Sequence, residues 1–246
     1  MGLQAAPEDQ ALLLDVQQFD TRMQQLAHQA DNLPELAQLT ALEAETRDVR
    51  SIVWERQGAF DDAKAELGRV ESDVEVVAAR IARDAERMQN SSSVKDVQAL
   101  EQELASLTRR RNELEEIQLA VMERVEELEA AKAAAMADLT DALSRAQEVM
   151  ASRDAALAGL EKERQQVKAD RETVAGQVPA ALIELYEKQR ARYGVGASHL
   201  RGGVSSAAGV ALTATDLNAV RAASAFDVIL CPESSAILVR TAESGL

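Results

Sequence analysis

The feature that most constrains this chain is a long series of apolar and small residues spaced alternately four and three positions apart. One series runs from Val49 to Met88, with Arg56 as its single misfit, and a second runs from Val97 to Leu128. A repeat of about 3.5 residues keeps a narrow seam facing a neighbouring helix, which indicates a coiled coil. The two series consist of Val49, Val53, Phe60, Ala63, Leu67, Val70, Val74, Val77, Ile81, Ala85 and Met88, and of Val97, Leu100, Leu104, Leu107, Leu114, Ile117, Val121, Val125 and Leu128.

A short polar segment, Asn90-Ser91-Ser92-Ser93, separates the two series. We expect helices over residues 7–31, 34–89 and 94–177, with a break at 32–34 before Pro34, and Asn32 or Asp31 as cap. The arms on the two sides of residues 90–93 have equal length, as an antiparallel intramolecular hairpin requires. The alternative is one long helix that dimerises in parallel, but the polar loop and the equal arms argue against it.

After Gln177 the pattern changes. Pro179 opens a short helix that ends at Tyr193-Gly194, and a glycine-rich loop follows. We expect a helix that Asp216 caps or opens, then strands at 228–231 and 237–240 joined by a turn at 232–235. The sequence therefore predicts a mainly α protein. Its domains are an antiparallel coiled-coil hairpin (residues 1–178, tip near 90–93) and a small α+β domain with its linker helix (179–246).

Composition bears on partners and location. The formal net charge is −15, and the C-terminal piece carries Arg201, Arg221 and Arg240 against four acidic residues. Because phosphate binding depends on Lys and Arg, nucleic acid is disfavoured as a partner. The basic run 109–111 is expected to pair across the hairpin with Glu71, Asp73 and Glu75, and the alternative is an RNA-binding patch. The sequence shows no secretory signal pattern and no long apolar run, so we expect a cytoplasmic protein that does not bind membranes.

Three segments resemble those of bacterial proteins in which a long coiled-coil hairpin precedes a four-cysteine zinc ribbon, a family of unknown function. The segment 90–101 is similar to the family's Asn-x-Lys-Glu-x-x-Ala-Leu tip, with Ser93 and Asp96 in place of the Asn and Glu. Residues 179–190 resemble its Pro-x-x-Leu-x-x-x-Tyr-Glu-x-x-Arg helix, and residues 216–240 resemble its ribbon.

The resemblance implies a zinc site made of two cysteine pairs, and this chain departs from that pattern. The four positions fall on Ser205, Ala208, Cys231 and Ser234, so one thiol remains, with His199 as the nearest substitute. A structural zinc site needs four N or S ligands, so we expect no zinc and no other cofactor. The ribbon should then be marginal unless it docks on the hairpin or a partner, with Cys231 half-buried. Its expected apolar core is Val210, Leu212, Leu217, Val220, Ile229, Leu230, Ile237 and Val239.

No catalytic motif stands out in the sequence, so we expect no enzyme activity. The resemblance implies a protein-interaction scaffold or chaperone-like adaptor, with the hairpin and the ribbon each presenting a protein-binding surface. The hairpin-tip residues are the candidate interaction site. These are Asn90, Ser91, Ser92, Ser93 and Lys95. The alternative is RNA binding through the ribbon-like domain, and a paralogue that has drifted after losing its metal also stays open. The sequence leaves open the identity of the partner and the oligomeric state, including self-association through a second seam.

Overall fold

The computed structural model describes residues 2–246, and long helices dominate it. The helices are α1 (Pro7–Asp31), α2 (Pro34–Asn90), α3 (Val94–Ala175), α4 (Ala180–Tyr193) and α5 (Ala214–Ala222). The strands are β1 (Ala197–Arg201), β2 (Val204–Ser205), β3 (Val210–Ala211) and β4 (Ile237–Val239), and a 3-10 turn covers Ala242–Ser244. The predicted fold class, a long helical hairpin with a small C-terminal sheet, is confirmed. Among residues 2–246, no helix carries a stretch long and apolar enough to cross a bilayer.

The chain forms two compact units. The hairpin unit comprises residues 35–151, and the sheet unit comprises residues 2–34 together with 152–246. The start of α1 and the end of α3 therefore belong to the same compact unit as the C-terminal sheet. The domain boundary at 178–179 stays a prediction.

Within the hairpin unit, α2 and α3 pack along the predicted seam. Its most buried members on α2 are Phe60, Ala63 and Val70, and the most buried on α3 include Leu114 and Val121. The predicted seam positions are buried or half-buried with one exception, Ile117, which is 44% exposed. Gln118, four residues after Leu114, occupies the seam position in place of Ile117. On α2, Gln57 is half-buried and occupies the seam position in place of Arg56, which is exposed.

Three ion pairs join the two arms of the hairpin unit. Arg145 contacts Glu45 at 2.6 Å, Arg80 contacts Glu103 at 2.6 Å, and Arg124 pairs with Glu66. The prediction that the 109–111 run pairs across the hairpin was wrong. Two of its arginines instead pair one turn along their own helix, Arg110 with Glu113 and Arg111 with Glu115.

In the sheet unit the strand order is β3-β2-β1-β4. β1 pairs in parallel with β4 and antiparallel with β2, and β2 pairs antiparallel with β3. The central strand β1 was missed by the sequence analysis, which assigned the glycine-rich stretch to a loop. Its residues, Ala-Ser-His-Leu-Arg, lack the β-branched side chains that usually mark a strand.

The predicted hairpin of strands 228–231 and 237–240 is only partly correct. Its two segments share one antiparallel bridge, Leu230 with Ile237, and two backbone hydrogen bonds. β4 instead forms its main pairing with β1, and the two strands run parallel. All three residues of β4 are fully buried in the centre of the unit. The cap of α5 is Thr213 rather than Asp216, since the Thr213 side chain accepts from the Asp216 N–H.

Two other capping and packing predictions were corrected. The Asn32 side chain donates to the carbonyl of His28, so it closes the end of α1 rather than opening α2. Val210 and Leu230, placed in the ribbon core by their apolarity, are 49% and 41% exposed. Val210 lies in the edge strand β3, and Leu230 lies outside the four strands, with a single bridge to Ile237.

The sheet unit is held together by α1 and by the residues that precede it. Leu13 and Val16 of α1 are fully buried against Ile237, Val239 and the linker helix. The chain before α1 also pairs with the loop before β4, since Ala5 N–H donates to Phe226 O and Val228 N–H donates to Leu3 O. The small C-terminal sheet thus shares its hydrophobic core with the first helix of the chain.

Candidate functional site

The positions that the resemblance assigned to zinc ligands converge in the sheet unit. Cys231 is 1% exposed, Ser205 is fully buried, and the Cys231 thiol donates to Ser205 Oγ at 3.4 Å. The Ser234 side chain also hydrogen-bonds the Cys231 sulfur. Ala208 is half-buried and contributes a methyl group, so three of the four positions carry a polar atom and one carries none.

A hydroxyl network surrounds this cluster. The Ser198 and Ser205 hydroxyls are 2.8 Å apart, and Ser198 Oγ accepts from the N–H of Ala207. The N–H of His199 donates to Ser206 Oγ at 2.9 Å. These neutral hydroxyls satisfy one another and the nearby backbone, as buried polar groups must. One thiol and several hydroxyls do not fit the donor set of a structural zinc ion.

The environment of Cys231 acts on its thiol in two opposing ways. Burial disfavours the thiolate and works to raise its pKa. When the thiol loses its proton, the thiolate accepts hydrogen bonds from Ser205, from Ser234 and from the backbone at Glu233 and Ser234. These bonds outweigh burial, so the pKa of Cys231 lies below its usual value. However, Cys231 is only 1% exposed, so its thiol is not accessible to reagents in solution. Cys231 is therefore fully buried, where the sequence analysis expected it to be half-buried.

His199 does not join the cluster as a ligand. Its Nε2 lies 2.7 Å from Thr241 Oγ1, in a contact that fastens β1 to the 3-10 turn at the C-terminal end. Among residues 2–246, no group of three or more His, Cys, Asp and Glu side chains is arranged to hold a metal ion.

A buried charge cluster lies elsewhere in the sheet unit, where α1, α3 and α4 meet. Asp20 of α1 is fully buried, and its carboxylate contacts Arg171 Nε at 2.7 Å and Arg190 Nε at 3.1 Å. The Tyr186 hydroxyl donates to the same carboxylate, and Glu187 pairs with both arginines. Two carboxylates and two guanidinium groups thus balance in charge around Asp20, whose burial requires such pairing.

This cluster explains the motif recognised in residues 179–190. Leu182 and Tyr186 fill the core, while Glu187 and Arg190 of the same helix complete the ionic contacts. Burial, followed by the hydrogen bond to the Asp20 carboxylate, raises the pKa of Tyr186 well above its usual value. The motif is therefore structural, because it fixes α4 on α1 and α3.

A glutamine and a glycine extend the cluster to the sheet. Gln17 Oε1 accepts from the N–H groups of Gly196 and Ala197, where β1 begins. A Cβ on Gly196 would lie 2.5 Å from two carbons of the Tyr186 ring, so only glycine fits there. The sequence analysis missed Gln17, Asp20 and Arg171. The sequence did offer one signal for this cluster. Asp20 is an acidic residue one helical turn after Val16, and it therefore lies on the apolar face of α1.

The predicted tip residues form a capped turn in the hairpin unit. Ser93 Oγ accepts from the N–H of Asp96 and caps α3, while Asn90, Ser92 and Lys95 are exposed. Beside the turn is an open groove of about 820 Å³. Its lining residues are Glu86, Arg87, Asn90, Ser91, Asp96, Ala99, Leu100 and Glu103.

These elements define a coiled-coil hairpin protein with a small C-terminal α/β module. A model of the CT398-like coiled coil hairpin domain matches residues 16–194, and the chain belongs to that family. It is also 32% identical to an uncharacterized protein of Mycobacterium tuberculosis over 242 residues, with 97% of this chain and 98% of that protein covered.

Two solved structures share the fold. A protein of Mycobacterium smegmatis is 33% identical with a TM-score of 0.86, and the match covers 97% of this chain and all of that one. CT398 of Chlamydia trachomatis is 18% identical with a TM-score of 0.62, covering 94% of this chain and 97% of its own. The second likeness bears on the fold alone.

Proposed function

We propose that this protein is a non-enzymatic interaction scaffold, or chaperone-like adaptor, that binds a partner protein at the hairpin tip. The observation that carries the proposal is the exposure of Val94, which is 74% accessible where the turn enters α3. At that exposure, the Val94 side chain contributes almost no burial free energy to the stability of the folded chain. If a partner covers it, burial of the same apolar surface contributes to the free energy of binding.

The surroundings of Val94 favour a polypeptide as the partner. The polar residues Asn90, Ser92, Ser93 and Lys95 lie around it and offer donors and acceptors to a backbone. The adjoining groove presents Glu86, Asp96 and Glu103 as well as Leu100. An apolar point with an acidic border suits a segment that carries both apolar and basic side chains.

RNA binding through the C-terminal module is the weaker alternative, because the arginines of that module have internal partners. Arg201 pairs with Glu243, and Arg221 reaches the carbonyl of Gly245. Arg240 donates to backbone carbonyls of the loop 223–227. A nucleic acid would have to displace these contacts before it gained any from the same side chains.

Affinity purification of the tagged full-length chain from its host tests the proposal. We expect a defined protein set that survives nuclease and added salt, and that is lost with Val94→Asp. Val76→Asp is the matched control, since Val76 is 63% exposed on α2 and lies away from the tip. Retention by Val94→Asp, or collapse of the set with nuclease and release of RNA, would contradict the tip as a protein-binding site.

A further inference from the structure

The two flanks of the hairpin unit differ in chemistry. The arginines and acids of all three cross-arm ion pairs occupy one flank, where Arg124 and Arg145 each come three residues after a buried seam residue, Val121 or Ala142. Successive residues of a helix are rotated by about 100° about its axis. A residue one position after such a buried seam residue therefore lies on the flank opposite to the residue three positions after it. We call the first the ion-paired flank, and we call the uncharged part of the second, over residues 130–151 of α3, the apolar flank.

The apolar flank of α3 carries Met136, Leu143 and Met150, which follow the seam positions 135, 142 and 149. They are 50%, 42% and 42% exposed and are spaced seven residues apart. Thr140 and Gln147 lie between them, so the spacing alternates between four and three, like the seam inside the hairpin. The Thr140 hydroxyl bonds to the Met136 carbonyl, so its hydrogen-bonding need is met within the helix. A surface with this period fits a partner helix.

The same face is free of charge, although 28% of the chain is charged. The charged side chains of this stretch, such as Asp138, Asp141 and Arg145, lie on the seam or toward the ion-paired flank. Small side chains border the apolar stripe and allow a second helix to approach closely. The uncharged face consists of Ala130, Ala133, Met136, Ala137, Thr140, Leu143, Ser144, Gln147, Met150 and Ala151.

The order of apolar residues on this face is symmetric about Leu143. Read in either direction it is Met, Leu, Met, with neighbours spaced seven positions apart. An antiparallel copy of the same helix would place Leu143 against Leu143 and Met136 against Met150. Such a two-fold, isologous contact is the commonest arrangement in homo-oligomers. Because this face is uncharged, two α3 helices could meet along it without opposing like charges between them, although each chain carries a net charge of −15.

We propose that a second copy of this chain packs antiparallel on the apolar flank of α3, with the two-fold axis at Leu143. Trp54 of α2 follows the seam residue Val53 on this flank, and its 73% exposure extends the apolar surface beside the stripe. The stripe from Met136 to Met150 is about 21 Å long. A contact of that length is at the small end of specific interfaces, so the dimer dissociates on dilution.

Sedimentation of the full-length protein over roughly 1 to 100 μM tests this. We expect a dimer whose fraction rises with concentration and whose dissociation constant increases at least tenfold with Leu143→Glu. Ile117→Glu is the matched control, because Ile117 is 44% exposed on the ion-paired flank. Circular dichroism should show the same helix content in both variants. A monomer throughout, or a dimer that Leu143→Glu leaves intact, overturns the proposal.

Cross-linking tests the two-fold axis separately. In Leu143→Cys, two thiols would face each other across the axis and form an intermolecular disulfide on mild oxidation. The native Cys231 is buried and does not compete. Ile117→Cys should not cross-link, and equal cross-linking of the two variants would overturn the orientation. The dimer does not depend on the adaptor role, which is tested at Val94.

Discussion

The hydroxyl of Tyr186 donates a 2.6 Å hydrogen bond to the carboxylate of Asp20, and both side chains are fully buried. This contact links the linker helix α4 to the first helix of the chain. Arg171 brings α3 into the same cluster, and Gln17 brings in the start of β1. The C-terminal module is thus fastened to helices by polar contacts, where the family resemblance implies a metal.

Removing the phenol hydroxyl should destabilise the protein. Tyr186→Phe keeps the ring but leaves the buried Asp20 with one donor fewer, which we expect to cost about 2 kcal/mol of unfolding free energy. Urea unfolding of the full chain measures the change. Tyr193→Phe is the control, since Tyr193 is 45% exposed on the same helix and should change stability by less than about 0.5 kcal/mol. Equal effects of the two variants would contradict the role of the Asp20 contact.

The same tyrosine predicts a loss of stability at alkaline pH. Folding raises the pKa of Tyr186, whereas the unfolded chain ionises this residue near pH 10. Its stabilising contribution is therefore complete below about pH 10 and decreases as the pH rises above that value. Between about pH 8 and about pH 11, wild type should lose more unfolding free energy than Tyr186→Phe. Parallel losses in the two proteins would show that Tyr186 is not the responsible group.

Gly196 should not tolerate a methyl group. Gly196→Ala places a Cβ 2.5 Å from the Tyr186 ring, and relief of that overlap should cost about 1–3 kcal/mol. Gly58→Ala is the contrasting change, because no atom lies within 4 Å of the added Cβ on α2. A helical glycine replaced by alanine should gain up to about 1 kcal/mol. Thermal melts of the two variants should shift in opposite directions, and a neutral Gly196→Ala would mean that the ring moves freely.

Metal binding should be absent from the native chain and recoverable by substitution. Chelator should leave the melting of wild type unchanged. The combined Ser205→Cys, Ala208→Cys and Ser234→Cys variant, with Cys231, should bind one zinc ion and melt higher when loaded. In the control variant, Ser206→Cys replaces Ser205→Cys and one thiol is displaced by one residue. This change should abolish zinc binding and the rise in melting temperature. Zinc in wild type, or equal loading of both variants, would refute the assignment of these positions.

Much of the helical architecture could be predicted because its determinants are local. The apolar spacing, Pro34, the serine turn and Pro179 each act within a few residues. The start of α1 at Pro7 and the start of α3 at Val94 were predicted correctly. The strand β1 was missed because it is stabilised by distant partners, β4 and Gln17, rather than by its own composition.

The sequence alone determined the helical hairpin, through its apolar spacing and its polar turn. Periodicity and residue type carry that information without any knowledge of contacts. Only the tertiary structure decided that Asp20, Arg171 and Tyr186 meet, that Cys231 lies in a hydroxyl network, and that the ion pairs share one flank. These relations join residues far apart in the chain, and burial and charge pairing act on them only after the helices have packed.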